Sequence, residues 1–211
     1  MPFSLPEAQM PRSSPPPAMD SSSKPQLTPD DWIRAAADVL VDKSVDAVRV
    51  EVLSKNLGVT RGSFYWHFKD RDDLLSHLLT WWRDTATEQI IDRFEKRNVK
   101  ARQLLRDLLA LPFHGEAAQA AAATELAIRG WARRDEMARR FVDEVDGKRL
   151  SYIAQCFSAL GFDIAESRKR AFALYSYELA ESLLSNQGTG KQKDERRFFM
   201  EQMLLSDVDE D

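Results

Sequence analysis

Between Thr60 and Lys69 the chain carries Thr60, Arg61, Ser63, Tyr65, Trp66, His67 and Lys69 without a single acid, although Glu51 precedes the stretch and Asp70, Asp72 and Asp73 follow it. These are the side chains that bond to nucleic acid. An arginine forks onto guanine O6 and N7, and a hydroxyl reaches several base edges. Tyr65 and His67 end in polar tips suited to phosphate oxygens, while Trp66 suits a sugar or a thymine methyl. Gly62 lets a backbone approach a groove floor without a side-chain clash. Lys69 and Arg71 add cations just beyond. A local absence of negative charge is what a phosphate surface requires. Phe64 and Phe68, in contrast, belong to a core.

To present these groups, the flanking sequence must build short helices at fixed angles. Thr28-Pro29-Asp30-Asp31 is a helix start: a capping hydroxyl, proline at the first position, acids in the first turn. Leu27 and Trp32 have the spacing of a hydrophobic staple. Ile33, Ala36, Ala37 and Leu40 give one apolar face, which predicts a first helix over 29–42. Val50, Leu53 and Leu57 predict a second over 50–57, ended by Gly58 in a left-handed conformation. Thr60 caps a third over 61–67, and Val59 with Phe64 forms another staple. Asp70 caps a fourth, whose Leu74, Leu75, Leu78, Leu79 and Trp82 recur at helical spacing to about Phe94. This is the layout of a tri-helical helix-turn-helix, which sets one helix in the DNA major groove.

Beyond it, helices are expected near 100–111, 117–133, 135–160, 163–186 and 194–205, with a possible break of the longest at Gly147. No segment alternates with period two, so no sheet is expected. The predicted fold is all-α: a tri-helical DNA-binding head over 28–75 and a helical regulatory and dimerisation body over 76–206. Seven of the nine prolines (Pro2, Pro6, Pro11, Pro15, Pro16, Pro17, Pro25) fall in 1–27 with many serines, so that stretch is expected to be a disordered tail. The acidic end, 207–211, is expected to be another.

The composition sets bounds. With 211 residues there is enough chain for a real core. The formal net charge is −4, so any DNA binding uses a local cationic face on an acidic body. No apolar run approaches the roughly 18 residues that span a bilayer, and no secretory leader is recognisable. The single Cys156 excludes an internal disulfide framework and fits a reducing cytosol, so a cytoplasmic location is expected. Cys156 is read as a small buried hydrophobe, with a thiol sensor as the sharper alternative. His67, His77 and His114 sit apart, and none pairs with a cysteine or carboxylate at metal-ligand spacing. With no phosphate-cradling glycine loop and no nucleophile elbow, neither enzyme, metal site nor cofactor is expected.

The run Gly58-Val59-Thr60-Arg61-Gly62-Ser63-Phe64-Tyr65-Trp66-His67-Phe68-Lys69-Asp70-Arg71-Asp72-Asp73-Leu74 resembles the DNA-binding domain of the tetracycline-repressor (TetR) family of bacterial regulators. The family pattern there is G-V-[ST]-x-G-x-[LIF]-Y-x-H-F-x-x-[KR]-[DE]-x-L. With the first helix, the resemblance covers about 28–75. It implies that Thr60, Arg61, Ser63 and Trp66 face bases, and that Tyr65, His67 and Arg71 hold the phosphate backbone. Two positions depart from the pattern: Ser44 stands where the family often has glycine, and Arg49 where it often caps the second helix with Ser or Thr. Arg49 cannot cap; it either reaches a phosphate or stays solvated.

The resemblance further implies an effector pocket in the body, for which Trp82, Phe113, His114, Trp131, Tyr152 and Tyr175 are candidates, although most such aromatics are plain core and His114 reads equally as a surface residue. One helix-turn-helix contacts too little DNA for tight binding, so function asks for a homodimer. In the family the last two long helices of each protomer form a four-helix bundle, and Phe172, Tyr175, Leu179, Leu183, Phe199 and Met203 have suitable spacing here, although a helix buried within its own protomer shows the same pattern. The mixed run Arg129, Arg133, Arg134, Arg139 and Arg140 with Asp135, Glu136, Asp143 and Glu144 reads as a solvated, salt-bridged face. The expectation is a sequence-specific regulator of operator DNA, most simply a repressor released by a small-molecule effector. The alternatives are an activator or global regulator with the same head, or a helical small-molecule-binding or scaffold protein whose head no longer binds DNA.

Overall fold

The computed structural model describes residues 27–111, 115–184 and 187–206. The expected tails therefore lie outside the described residues, apart from Leu27, as do Phe113 and His114. The order is α1 (Pro29–Asp42), a 3₁₀ turn (Val45–Ala47), α2 (Val50–Leu57), α3 (Arg61–Phe64), α4 (Arg71–Arg83), a π-helical segment (Asp84–Glu88), α5 (Gln89–Arg97), α6 (Ala101–Ala110), α7 (Gly115–Ala132), α8 (Glu136–Ser158), α9 (Ile164–Leu183) and α10 (Gly190–Leu205). No strand occurs among the described residues.

Local chemistry accounts for the boundaries. At α1, Asp31 reaches back to the Thr28 amide at 2.8 Å, closing a capping box behind Pro29. Gly58 adopts φ +67, and the Val59 amide then donates to the Ser54 carbonyl at 3.0 Å, which seals the end of α2. Asp70 accepts the Asp73 amide at 2.8 Å to start α4.

Three expectations change. The third helix is expected over 61–67 but is regular only over 61–64, and Tyr65–His67 form a turn in which the His67 and Phe68 amides both donate to the Phe64 carbonyl. Phe64 and Phe68 are both buried, and drawing both rings into the head tightens the chain between them. The fourth helix does not run uniformly to Phe94: it passes through the π segment 84–88 before α5. The longest helix does not break at Gly147: α8 runs unbroken over Glu136–Ser158, and the glycine lies on its exposed side.

Two cores result. The first joins the head to the body: Trp32, Phe64 and Phe68 pack with Leu74, Leu78 and Trp82 of α4 and with Ile128, Trp131, Val142 and Val145 of α7 and α8. Trp32 meets Phe64 edge-on at 5.4 Å. The second lies at the far end, where Leu105 and Leu109 of α6 meet Phe157 of α8, Leu174 of α9 and Leu204 of α10. The head thus has no hydrophobic core separate from α7 and α8.

Candidate nucleic-acid interface and the body behind it

The polar and aromatic candidates between Arg49 and Lys69 are exposed or half-exposed. Trp66 is 85% exposed and Tyr65 62%, whereas Trp32 and Trp82 are buried completely or nearly so. Arg49, Thr60, Arg61, Gly62 and Lys69 are exposed, and Ser63 and His67 half-exposed. The Thr60 hydroxyl takes the N-cap position of α3 without making a cap bond, which leaves it available to a ligand. A Cβ built at Gly62 meets only Thr60 Oγ1, at an ordinary 3.6 Å, so nothing within the protein demands glycine there. What a side chain would occupy is the space an external backbone would approach.

Two features of this surface are invisible in the linear sequence. Arg61 Nη1 donates to Glu51 Oε1 at 3.0 Å, so an acid from α2 reaches into the patch that is acid-free along the chain. A backbone hydrogen bond, and after it Arg61 and neighbouring Arg49, hold the Glu51 carboxyl below its ordinary range. Arg71 faces partly inward: its Nε donates to the Val48 carbonyl at 2.7 Å and its Nη2 to the Val45 carbonyl at 2.6 Å. It fastens α4 to the 3₁₀ turn ahead of α2 and so orients the helix-turn-helix. Arg49 donates to the Asp46 carbonyl and remains exposed.

The body holds a second constellation. Arg129 does not lie on the solvated, salt-bridged face expected of its charged run; it is half-buried among side chains of α7, α8 and α9. Its guanidinium donates to Glu125 at 2.9 Å, to Asp146 Oδ1 at 2.6 Å and to the Tyr175 hydroxyl at 2.7 Å. Arg149 donates to both Glu125 oxygens at 2.9 and 3.0 Å, to Tyr175 at 3.1 Å, to Thr87 Oγ1 at 3.0 Å and to the Ala86 carbonyl at 3.0 Å. Tyr175 in turn donates to Asp146 at 2.6 Å. Burial opposes ionisation of Glu125 and Asp146, yet the guanidiniums beside them hold both carboxyls below their usual range. The i, i+4 spacing of Glu125 and Arg129 was a legible signal, but it does not distinguish a buried pair from a solvated one.

Arg149 thereby touches the π segment, α7 and α9 from its seat on α8. Lys148 adds an ion pair to Glu88. The π segment, joining the head's α4 to the body's α5, is held by side chains from the body.

Trp82 and Trp131 are buried in the core shared by head and body, and the Arg149 guanidinium lies 5.9 Å from the Trp82 ring. Tyr152 is half-buried, and burial pushes its hydroxyl up to about 12. Tyr175 is buried within its own protomer, its hydroxyl engaged with Arg129, Arg149 and Asp146, so it sits apart from the outward face of α9. Phe172, Leu183, Phe199 and Met203 are exposed, and Leu179 is half-buried. Cys156 is buried, and its thiol is pushed up to about 11, which keeps it protonated and unreactive.

Residues 33–78 match the model of the bacterial regulatory proteins, tetR family. The uncharacterised HTH-type transcriptional regulator YwcC of Bacillus subtilis is 36% identical over 81 residues, 37% of this chain and 36% of that protein. The match thus spans only about a third of that relative's length. A transcriptional regulator from Rhodococcus sp. Rha1 superposes with a TM-score of 0.69 at 16% identity, over 88% of this chain and 100% of its own. The transcriptional regulator FadR of Bacillus subtilis, solved in complex with stearoyl-CoA, superposes with a TM-score of 0.61 at 19% identity, over 86% of this chain and 100% of its own. The fold of head and body together is that of these regulators.

Proposed function

We infer, from the place of residues 33–78 in the tetR family of bacterial regulatory proteins, that the chain is a sequence-specific transcriptional regulator acting on operator DNA as a homodimer. The observation that carries this reading is the exposure of Tyr65 and Trp66 within the same short segment as exposed Thr60, Arg61 and Lys69. Arg61, Thr60, Ser63 and Trp66 face the bases, and Tyr65, His67, Lys69 and Arg49 the phosphates. Arg71 mainly fixes the orientation of the head.

The second copy seats on the outward faces of α9 and α10. Phe172, Leu183, Phe199 and Met203 form apolar surface there with no cover in the monomer. Two recognition elements about 34–36 Å apart, or a further turn away, then meet successive major grooves.

The chain is read as a repressor whose operator affinity is controlled by a small molecule in the body. α4 and α5, linked by the π segment, form the lever, and Arg149 grips it from α8. An effector changes operator binding only by the difference in its affinity for the two arrangements. Selection from random duplexes with the full chain tests DNA binding. A two-fold symmetric motif is expected, and a pool that stays random overturns the reading in favour of a scaffold. A broad compound screen against the selected operator then tests effector control.

A further inference from the structure

We propose that the body takes an organic cation as its ligand, held by the Glu178 carboxylate beside the Arg129–Arg149 cluster. The inference rests on the effector-controlled reading above and gives that effector a charge. Arg129 and Arg149 face Glu125 and Asp146, two cations against two anions, with Tyr175 bridging them. Glu178, one turn beyond Tyr175 on α9, is left over. Its Oε1 is enclosed and has no hydrogen-bond partner, while the residue as a whole keeps some accessible surface. A buried carboxylate oxygen without a donor is costly. Glu178 meets this cost by holding its proton: burial pushes its pKa up to about 8, with Glu125 of α7 adding to the effect and Arg149 of α8 opposing it.

The same geometry argues against an anion. Every nitrogen of both guanidiniums already donates to a protein oxygen, so neither presents a free fork to a carboxylate or phosphate. A cation, by contrast, supplies the one charge the cluster lacks and lets Glu178 ionise. It would lie beside the guanidinium that grips the π segment, where a change in the cluster reaches the lever.

The test uses the full chain and three probes with one alkyl tail: hexyltrimethylammonium, 1-hexanol and hexanoate. Binding is read by calorimetry and by tryptophan fluorescence, to which Trp82 beside Arg149 contributes. Hexyltrimethylammonium is expected to bind, and its affinity to rise roughly tenfold between about pH 6.5 and pH 8.5 as Glu178 ionises. Glu178→Gln should weaken it roughly tenfold or more and flatten the pH profile. The pH profile of the unsubstituted protein keeps the test valid if the variant folds poorly. Failure of the cation to bind, equal binding by Glu178→Gln, or a flat profile in the unsubstituted protein each overturns the proposal. Release of the operator by hexanoate without the cation also overturns it, yet leaves effector control standing. Effector control itself falls only if no compound of any charge shifts operator affinity in the wider screen.

Discussion

Arg61 and Arg149 carry the same guanidinium into opposite surroundings. Arg61 sits on the head with two-thirds of its side chain exposed and one partner, Glu51. Arg149 is largely enclosed and meets oxygens from the π segment, α7 and α9. A solvated pair contributes little to folding because water screens it and the side chains lose freedom. A buried charge is held by its complete set of partners, and removing one leaves the others uncompensated. The head therefore keeps its charge available for a ligand, while the body has committed its charge to structure. Mutation should affect binding at one end and stability at the other.

The largest effect expected is at Arg149. Arg149→Met leaves Glu125 with Arg129 as its remaining guanidinium partner, takes the Arg149 donor from Glu125 Oε2 and frees the Ala86 carbonyl, so thermal or denaturant unfolding should show a loss of roughly 3–5 kcal/mol. A loss no larger than that of an exposed arginine would erase the contrast. Next is Arg61→Ala, which should weaken specific operator binding by about 1–3 kcal/mol, relax selectivity at one base position and leave the melting temperature unchanged. A uniform loss across all sequences would reassign Arg61 to the phosphates.

The body's carboxyls predict a pH profile. Glu125 and Asp146 are depressed in the fold, so their contribution is present above the ordinary carboxylate range and lost as the pH falls through their folded values. Glu178 is raised, from 4.5 to about 8, so stability is lost as the pH climbs between those values. Glu178→Gln should be more stable than the unsubstituted protein near pH 8 and lose that advantage near pH 5. Equal melting curves at both would remove Glu178 from the interior. The smallest effect belongs to Glu51→Gln. Losing an exposed pair changes stability by less than about 1 kcal/mol, while removing a negative charge beside the phosphates should tighten binding modestly at low salt. A loss of base selectivity instead would show that Glu51 aims Arg61.

The sequence by itself determined the head and the helical class. Caps, staples and the Gly58 turn are local, satisfied within a few residues, and so they are written in consecutive letters. Thr28-Pro29-Asp30-Asp31 started α1 as expected, and Gly58 closed α2. The exposed Tyr65 and Trp66 were legible because polar and aromatic neighbours alternate with Phe64 and Phe68. Tertiary structure decided what depends on residues far apart in the chain. It brought Glu51 to Arg61, turned Arg71 onto Val45 and Val48, and moved Arg129 from an apparent solvated run into a buried cluster with Asp146 and Tyr175. Helical periodicity shows that a charge lies on a face, but only the packing of α7, α8 and α9 decides whether that face meets water or another helix. The π segment is of the same kind, since the Arg149 that grips it comes from 62 residues beyond Thr87.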